Sequence, residues 1–232
     1  MGPTSNTSLV AYSWRLNMNS QRRTCPVGLV AFVAIALSAF TAGASVIAVG
    51  PGAFPSGSTL ITFAGLPDGT EVNGLSTGGV LFSYSLGNGI VVIDGGPGVT
   101  NNVAPPNIVS LGNPTGVLTL ILPGFFDTFG DGYALLNTVA VLNATTINLF
   151  SGATNVGSLS YNAVPDPAFT GGFAGIQSTI PFNRVALTFN PSAPAFALDN
   201  IRFGSAIPEP STMFLMLGGL AGLWWAQRRR IS

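Results

Sequence analysis

The sequence predicts an all-β body, an antiparallel sandwich of two sheets, flanked by an N-terminal signal peptide and a C-terminal transmembrane helix. Three observations carry this expectation. Apolar and polar residues alternate with period two in short runs, and Gly, Pro, Asn and Asp punctuate those runs. No stretch of the body shows the 3.6-residue stripe of an amphipathic helix. A mainly apolar, uncharged segment lies near each end of the chain.

At the N-terminal side, Arg22 and Arg23 precede the apolar residues 27–40, and Ala42-Gly43-Ala44 supplies the small-x-small pattern of a signal peptidase site. Cleavage is expected after Ala44, so that residues 1–44 form the signal peptide. Residues 1–17 show no such order, and Met18 would open a leader of ordinary length. The neighbours of Arg22-Arg23 match a twin-arginine motif poorly, which favours general secretion.

The body, residues 45–206, reads as strands throughout. Leu118, Leu120 and Leu122 alternate with Thr119 and Ile121, and Val185, Leu187 and Phe189 alternate with Ala186 and Thr188. Further strands are expected at 58–63, 79–86, 89–94, 133–142, 145–150, 155–161 and 195–203. Gly87-Asn88-Gly89 and Leu142-Asn143-Ala144 read as hairpin joints, with Asn143 suited to a positive φ. Residues 94–114, rich in Gly, Pro and Asn, read as a long surface loop. The expected form is a jelly-roll-like sandwich.

Composition limits the chemistry. The body holds Asp68, Glu71, Asp94, Asp127, Asp131, Asp166 and Asp199 against Arg184 and Arg202, a net charge of −5, which disfavours nucleic acid and anionic lipid. The chain has no histidine and no lysine, and its single cysteine, Cys25, lies in the leader. A Ser-His-Asp triad, a Cys-His dyad, a histidine-bound zinc and a lysine Schiff base are therefore excluded. Carboxylate chemistry and hard-cation binding remain.

The C-terminal segment, residues 207–232, is the most specific part of the sequence. Pro208-Glu209-Pro210 is followed by a helix expected over about 211–227, and then by Arg228, Arg229 and Arg230. Residues 213–226 carry no charge and cover about 21 Å at helical rise, short of a full span unless the bilayer thins. Trp224 and Trp225 beside the arginines form an interfacial anchor and place the basic tail in the cytoplasm. Pro208 and Pro210 keep Glu209 extended and open to a processing enzyme.

Motif, helix and basic tail in this order resemble the PEP-CTERM sorting signal of Gram-negative bacterial surface proteins. The resemblance implies an exosortase-type processing enzyme as partner, transient residence in the inner membrane, and delivery to the cell surface or medium. An ordinary unprocessed anchor is the alternative. Residues 61–70 and Phe196-Ala197-Leu198-Asp199-Asn200-Ile201 also resemble the first and last strands of jelly-roll domains in PEP-CTERM proteins and carbohydrate-binding modules. In such domains an aspartate on the last strand helps hold a structural calcium. Asp199 matches that position, whereas Ala64 stands where the early acidic partner is frequent.

Asp199 also stands out locally. Phe196 and Leu198 share one parity and Ile201 and Phe203 the other, so a bulge is expected at Asp199-Asn200. Its carboxylate either serves a cation or accepts the bulge's own amides. Residues 125–133 place Asp127 and Asp131 four apart in what reads as a Gly-containing loop with four aromatics, a second candidate for calcium or for sugar stacking. A glycosidase would need one of these acids opposite Glu71 or Asp94. No catalytic motif is present. The expected function is an exported surface or extracellular-matrix protein whose non-catalytic sandwich binds exopolysaccharide or a surface partner. A secreted carbohydrate-active enzyme and a purely structural matrix component are the alternatives.

Overall fold

The computed structural model describes residues 44–94 and 100–205. The leader with Ala42, the Pro208-Glu209-Pro210 motif, the expected helix at 211–227 and Arg228 to Arg230 lie outside the described residues. Ala44 is the first described residue and is exposed. Among the described residues, no helix is long and apolar enough to cross a membrane.

Eleven strands form the body: β1 (Val46–Ala48), β2 (Thr59–Ile61), β3 (Ser76–Thr77), β4 (Val80–Tyr84), β5 (Ile90–Ile93), β6 (Asn107–Ser110), β7 (Leu118–Leu135), β8 (Val141–Ser151), β9 (Thr154–Pro165), β10 (Thr170–Phe189) and β11 (Phe196–Gly204). A 3₁₀ turn at Pro51–Ala53 is the one other regular element among the described residues. Every pairing is antiparallel.

Two long strands turn this sheet into a sandwich. The first part of β7 pairs with β4 (Leu81 with Ile121, Ser83 with Thr119) and with the last part of β10 (Arg184 with Ile121, Leu187 with Leu118). Its second part pairs with β11 (Gly204 with Thr128, Phe196 with Leu135) and with the first part of β10 (Gln177 with Thr128). The register slips between Gln177, Phe182 and Arg184, where both strands turn the corner. One layer is thus β3-β4-β7-β10-β8-β9. The other is β5-β6-β11-β7-β10-β1, with β2 beside the end of β11.

Alternation sends one side chain in two between the layers. Phe82, Leu118, Leu120, Ile147, Leu149, Val185 and Leu187 from the first layer meet Phe129, Tyr133, Ile176, Phe196, Leu198 and Phe203 from the second in one core. The rings of Phe189 and Phe196 stack across the layers at 3.7 Å, and Tyr84 meets Phe196 edge-on at 6.4 Å. The Tyr84 hydroxyl donates to Asn113 O at 2.6 Å and accepts from Gly116 N–H at 3.1 Å, which satisfies its polar tip.

Several sequence expectations change. Residues 125–133, read as a loop, lie within β7, and the segment read as a strand at 133–142 is the end of β7, a turn and the start of β8. The 94–114 segment contains β6. Gly87-Asn88-Gly89 is not a hairpin: β4 pairs with β7 and β5 with β6, so this turn carries the chain between layers. Asn143 does take a positive φ of 49°, but within β8, where the register with β9 slips between Val141 and Thr145. The bulge at Asp199-Asn200 is present. The β11–β7 register breaks between Asp199 and Arg202, Asn200 has φ 54°, and Phe196, Leu198, Ile201 and Phe203 all reach the core.

Candidate functional site

The outer faces of the two layers differ. On the second layer, Gly130, Gly132 and Gly175 point outward in the register and leave no side chains. Other chain segments lie directly on that bare backbone. A Cβ on Gly130 would come within 2.9 Å of the Phe54 ring and 2.7 Å of the Phe173 ring. One on Gly132 would sit 2.7 Å from the Asn102 carbonyl carbon and closer still to its oxygen. One on Gly175 would strike Phe173 and Val49. Phe54 and Phe173 pack edge to face at 6.0 Å over this platform, and the 100–106 segment covers the rest.

Among the described residues, the outer face of the first layer carries no comparable cover. Register aligns its outward side chains in rows across the strands: Leu81, Ile121, Arg184 and Phe150; then Ser83, Thr119, Ala186, Asn148 and Ser158; then Thr188, Thr146 and Ser160. Apart from Ala186 these side chains are half-buried or exposed. The Arg184 guanidinium lies 4.1 Å from the centre of the Phe150 ring, a cation–π contact that holds both side chains flat. Thr146 Oγ1 and Ser160 Oγ are 2.8 Å apart. The face thus combines a floor of hydroxyls and amides with an edge row of exposed Leu81 and Ile121 beside Arg184 and Phe150. Phe150, Asn148 and Arg184 were not singled out from sequence. The signal was there: Thr146, Asn148 and Phe150 share the parity opposite to the buried Thr145, Ile147 and Leu149.

Asp199 lies under the 100–106 segment on the covered face of the second layer. Its Oδ2 accepts Ala104 N–H at 3.3 Å, and Asn200 Nδ2 donates to Asn102 O at 3.0 Å. Asp199 Oδ1 is buried without a hydrogen bond. Val109 pairs with Ala197 and Ile108 with Leu198, so the next step of that register sets Asn107 beside Asp199. Both Asn107 side-chain atoms are buried and unpaired as well. Burial raises the Asp199 pKa to about 6, and the Asn200 and Ala104 amides pull it down less. Asn107 is a candidate that the sequence reading missed, because its strand was taken for loop.

Asp131 and Asp127 do not form a joint site. Four residues along a strand separate them by about 13 Å, too far for one ion. Asp127 is half-buried and accepts the Thr128 hydroxyl at 2.7 Å. Asp131 is fully buried between the layers, and neither carboxylate oxygen has a hydrogen-bond partner among the described residues. Around it, Tyr133 OH donates to Asn162 O at 2.8 Å and Tyr161 OH to Gly175 O at 2.5 Å. Burial pushes the Asp131 pKa well up, and burial with the nearby Asp131 carboxyl pushes both phenols up. Glu71 and Asp94 are exposed beside β5, whereas Asp131 is buried between the layers. Among the described residues, no group of three or more His, Cys, Asp or Glu gathers to hold a metal.

Comparison with known proteins first defines the class of signal the chain carries: residues 206–230 match the PEP-CTERM protein-sorting motif. No curated protein matches the chain in sequence. Solved structures similar to it include a mutant of CBM29-2, a family 29 carbohydrate-binding module, with 12% identity, covering 71% of this chain and 95% of that one at a TM-score of 0.38. Another is a CBM29-2 mutant complexed with mannohexaose, at 13% identity, 66% and 96% coverage and a TM-score of 0.39. A third, described as a carbohydrate binding module of family 29, has 12% identity, 70% and 91% coverage and a TM-score of 0.36.

Proposed function

We propose that this protein is exported through its PEP-CTERM signal to the cell surface or extracellular matrix, and that the open face of its first layer binds a neutral polysaccharide without hydrolysing it. The observation that carries the reading is the contrast between the faces. One is covered by its own chain, and the other presents Ser83, Thr119, Thr146, Asn148, Ser158, Ser160 and Thr188 as a hydrogen-bonding floor, with Arg184 lying over the Phe150 ring at its edge. Hydroxyls and amides both donate and accept, which suits a polyhydroxylated chain. The rows hold no carboxylate, which favours binding over acid–base cleavage. The processing partner is an exosortase-type enzyme acting at Pro208-Glu209-Pro210 while the precursor resides in the inner membrane.

Affinity electrophoresis of the exported protein against a panel of soluble polysaccharides tests the binding. Phe150→Ala and Asn148→Ala are expected to weaken retention about tenfold, in line with roughly 1–3 kcal/mol for a lost stacking contact or an unpaired polar group. Retention by no polysaccharide, or retention indifferent to both substitutions, overturns the proposal. The intact mass of protein recovered from medium and from membranes tests the route. Loss of residues 1–44 and of the segment beyond Pro210 supports sorting, and a membrane-bound species that keeps Arg228 to Arg230 refutes it.

A structural calcium at Asp199 is a second proposal, supported by the unpaired Asp199 Oδ1 and Asn107 Oδ1 beneath one loop. Calcium at a hundredfold over its dissociation constant would add about 2.7 kcal/mol. A melting temperature that does not respond to calcium, or responds equally in Asp199→Asn, removes it.

A further inference from the structure

The described chain enters and leaves the sandwich at the same end. Ser45 is tied to Thr179 at the corner of β10 by two hydrogen bonds: Ser45 N–H donates to the Thr179 side-chain Oγ1 at 3.0 Å, and Thr179 N–H to Ser45 O at 3.0 Å. At the other terminus Gly204 pairs with Thr128, Thr128 with Gln177, and Gln177 with Ile47, which places β11, β7, β10 and β1 in one row. Gly204 and Ile47 are therefore about 14 Å apart, three strand spacings.

This end also exposes apolar surface. Phe125 is 59% exposed on the turning part of β7, Ile47 56% on β1 and Leu60 47% on β2. Phe126 beside Phe125 is seated against Phe203 at 4.8 Å, so the corner that carries Phe125 is rigidly built. Arg184 and Arg202, the two bases of the body, lie on strands next to this corner, across from Ile121 and Gly130.

Chain length then limits where this end can be. The described body stops at Ser205, and the sorting motif matches from residue 206. From Ser205 to Ser211, where the expected helix begins, even a fully extended chain reaches only about 21 Å. The headgroup layer on one side of a bilayer occupies roughly 5–8 Å of that distance.

We propose that this end of the sandwich is a membrane-contacting surface, with Phe125, Ile47 and Leu60 seated at the headgroup boundary of the phospholipid bilayer that holds the precursor. The proposal rests on the anchored-precursor reading. The contact is apolar and needs no anionic lipid, which reconciles it with the body's net negative charge. Before processing, the polysaccharide-binding face stands beside the bilayer rather than on it, and cleavage beyond the body frees the apolar end.

The test uses the full chain in phosphatidylcholine nanodiscs, with Cys25→Ser as background and single spin labels at Phe125→Cys, Ile47→Cys, Val139→Cys and Leu217→Cys. Leu217 reports insertion of the C-terminal segment, and Val139 reports the far end of the body, beyond the end of β7. Labels at 125 and 47 are expected to collide more with lipid-dissolved oxygen than with a water-soluble nickel relaxant, and the label at 139 the reverse. Water exposure at 125 and 47 equal to that at 139, with 217 in lipid, overturns the membrane contact alone. A label at 217 in water overturns the anchored precursor and the contact with it.

Discussion

Replacing Gly132 by alanine tests how the second layer is roofed. Gly132 lies opposite Asp199, and the new Cβ would stand 2.7 Å from the Asn102 carbonyl carbon, where ordinary contact begins at 3.4 Å. The 102 carbonyl must therefore withdraw by at least 0.7 Å. Backbone cannot swing aside as a side-chain tip can, and the same segment donates Ala104 N–H to Asp199 and accepts Asn200 Nδ2. Overpacking costs about 1–3 kcal/mol, and each weakened hydrogen bond about 1 kcal/mol. A total near 3 kcal/mol lowers the melting temperature by roughly 6–12 °C in a domain of this size. Gly152→Ala is the control. That glycine has φ 60° in the β8–β9 turn with no atom within 4 Å, so only backbone strain applies, about 1 kcal/mol or roughly 2–4 °C. Far-UV circular dichroism on residues 45–205 reads both variants. Equal losses in the two, or a Gly132→Ala loss under about 2 °C, would refute the claim that a backbone roof rests on this glycine.

Other outcomes follow from the buried polar groups. Asp131 has a folded-state pKa well above its unfolded one, so below about pH 4 both states hold the proton and it imposes no pH-linked penalty. As pH rises past the unfolded value only the unfolded chain releases the proton, and stability falls until the folded pKa is reached. Asp131→Asn is therefore expected to match the parent near pH 3 and to gain on it steadily toward pH 7 in denaturant titrations; a gap independent of pH contradicts this. Asp199 adds a loss of the same sign between about pH 4 and its folded value of about 6, which Asp199→Asn should remove. Tyr84→Phe, which leaves Asn113 O and Gly116 N–H without the bridging hydroxyl, is expected to cost about 1–2 kcal/mol by thermal unfolding without altering polysaccharide retention.

Strands with one buried and one wet face were readable from sequence. Leu118, Leu120 and Leu122 alternate because β7 begins in the layer whose outer face is open. The parity switch around Asp199 exposed the bulge although both faces of β11 are buried there, because its large apolar residues, Phe196, Leu198, Ile201 and Phe203, still mark the core side. The first part of β10, residues 170–177, was not readable, because its outward positions are Gly171, Phe173, Gly175 and Gln177 under a covering segment. A strand covered on both faces loses period two, and its glycines imitate a turn. Residues 125–133 misled similarly: Gly130, Gly132 and two aspartates compose like a cation loop, yet the two glycines leave space for Phe54, Phe173 and Asn102. The open face escaped notice for a different reason. Its residues come from β4, β7, β8, β9 and β10, and only cross-strand register brings them into rows.

The bent strands β7 and β10 constrain the order in which the protein comes into being. Neither layer is complete without both, and β10 ends only at Phe189. Val46 waits for Ser178 and Leu60 for Arg202, so the first strands to emerge have no partner until the last arrive. Such distant pairing folds slowly. The sandwich therefore closes only when β11 is in place, however early its first strands are made.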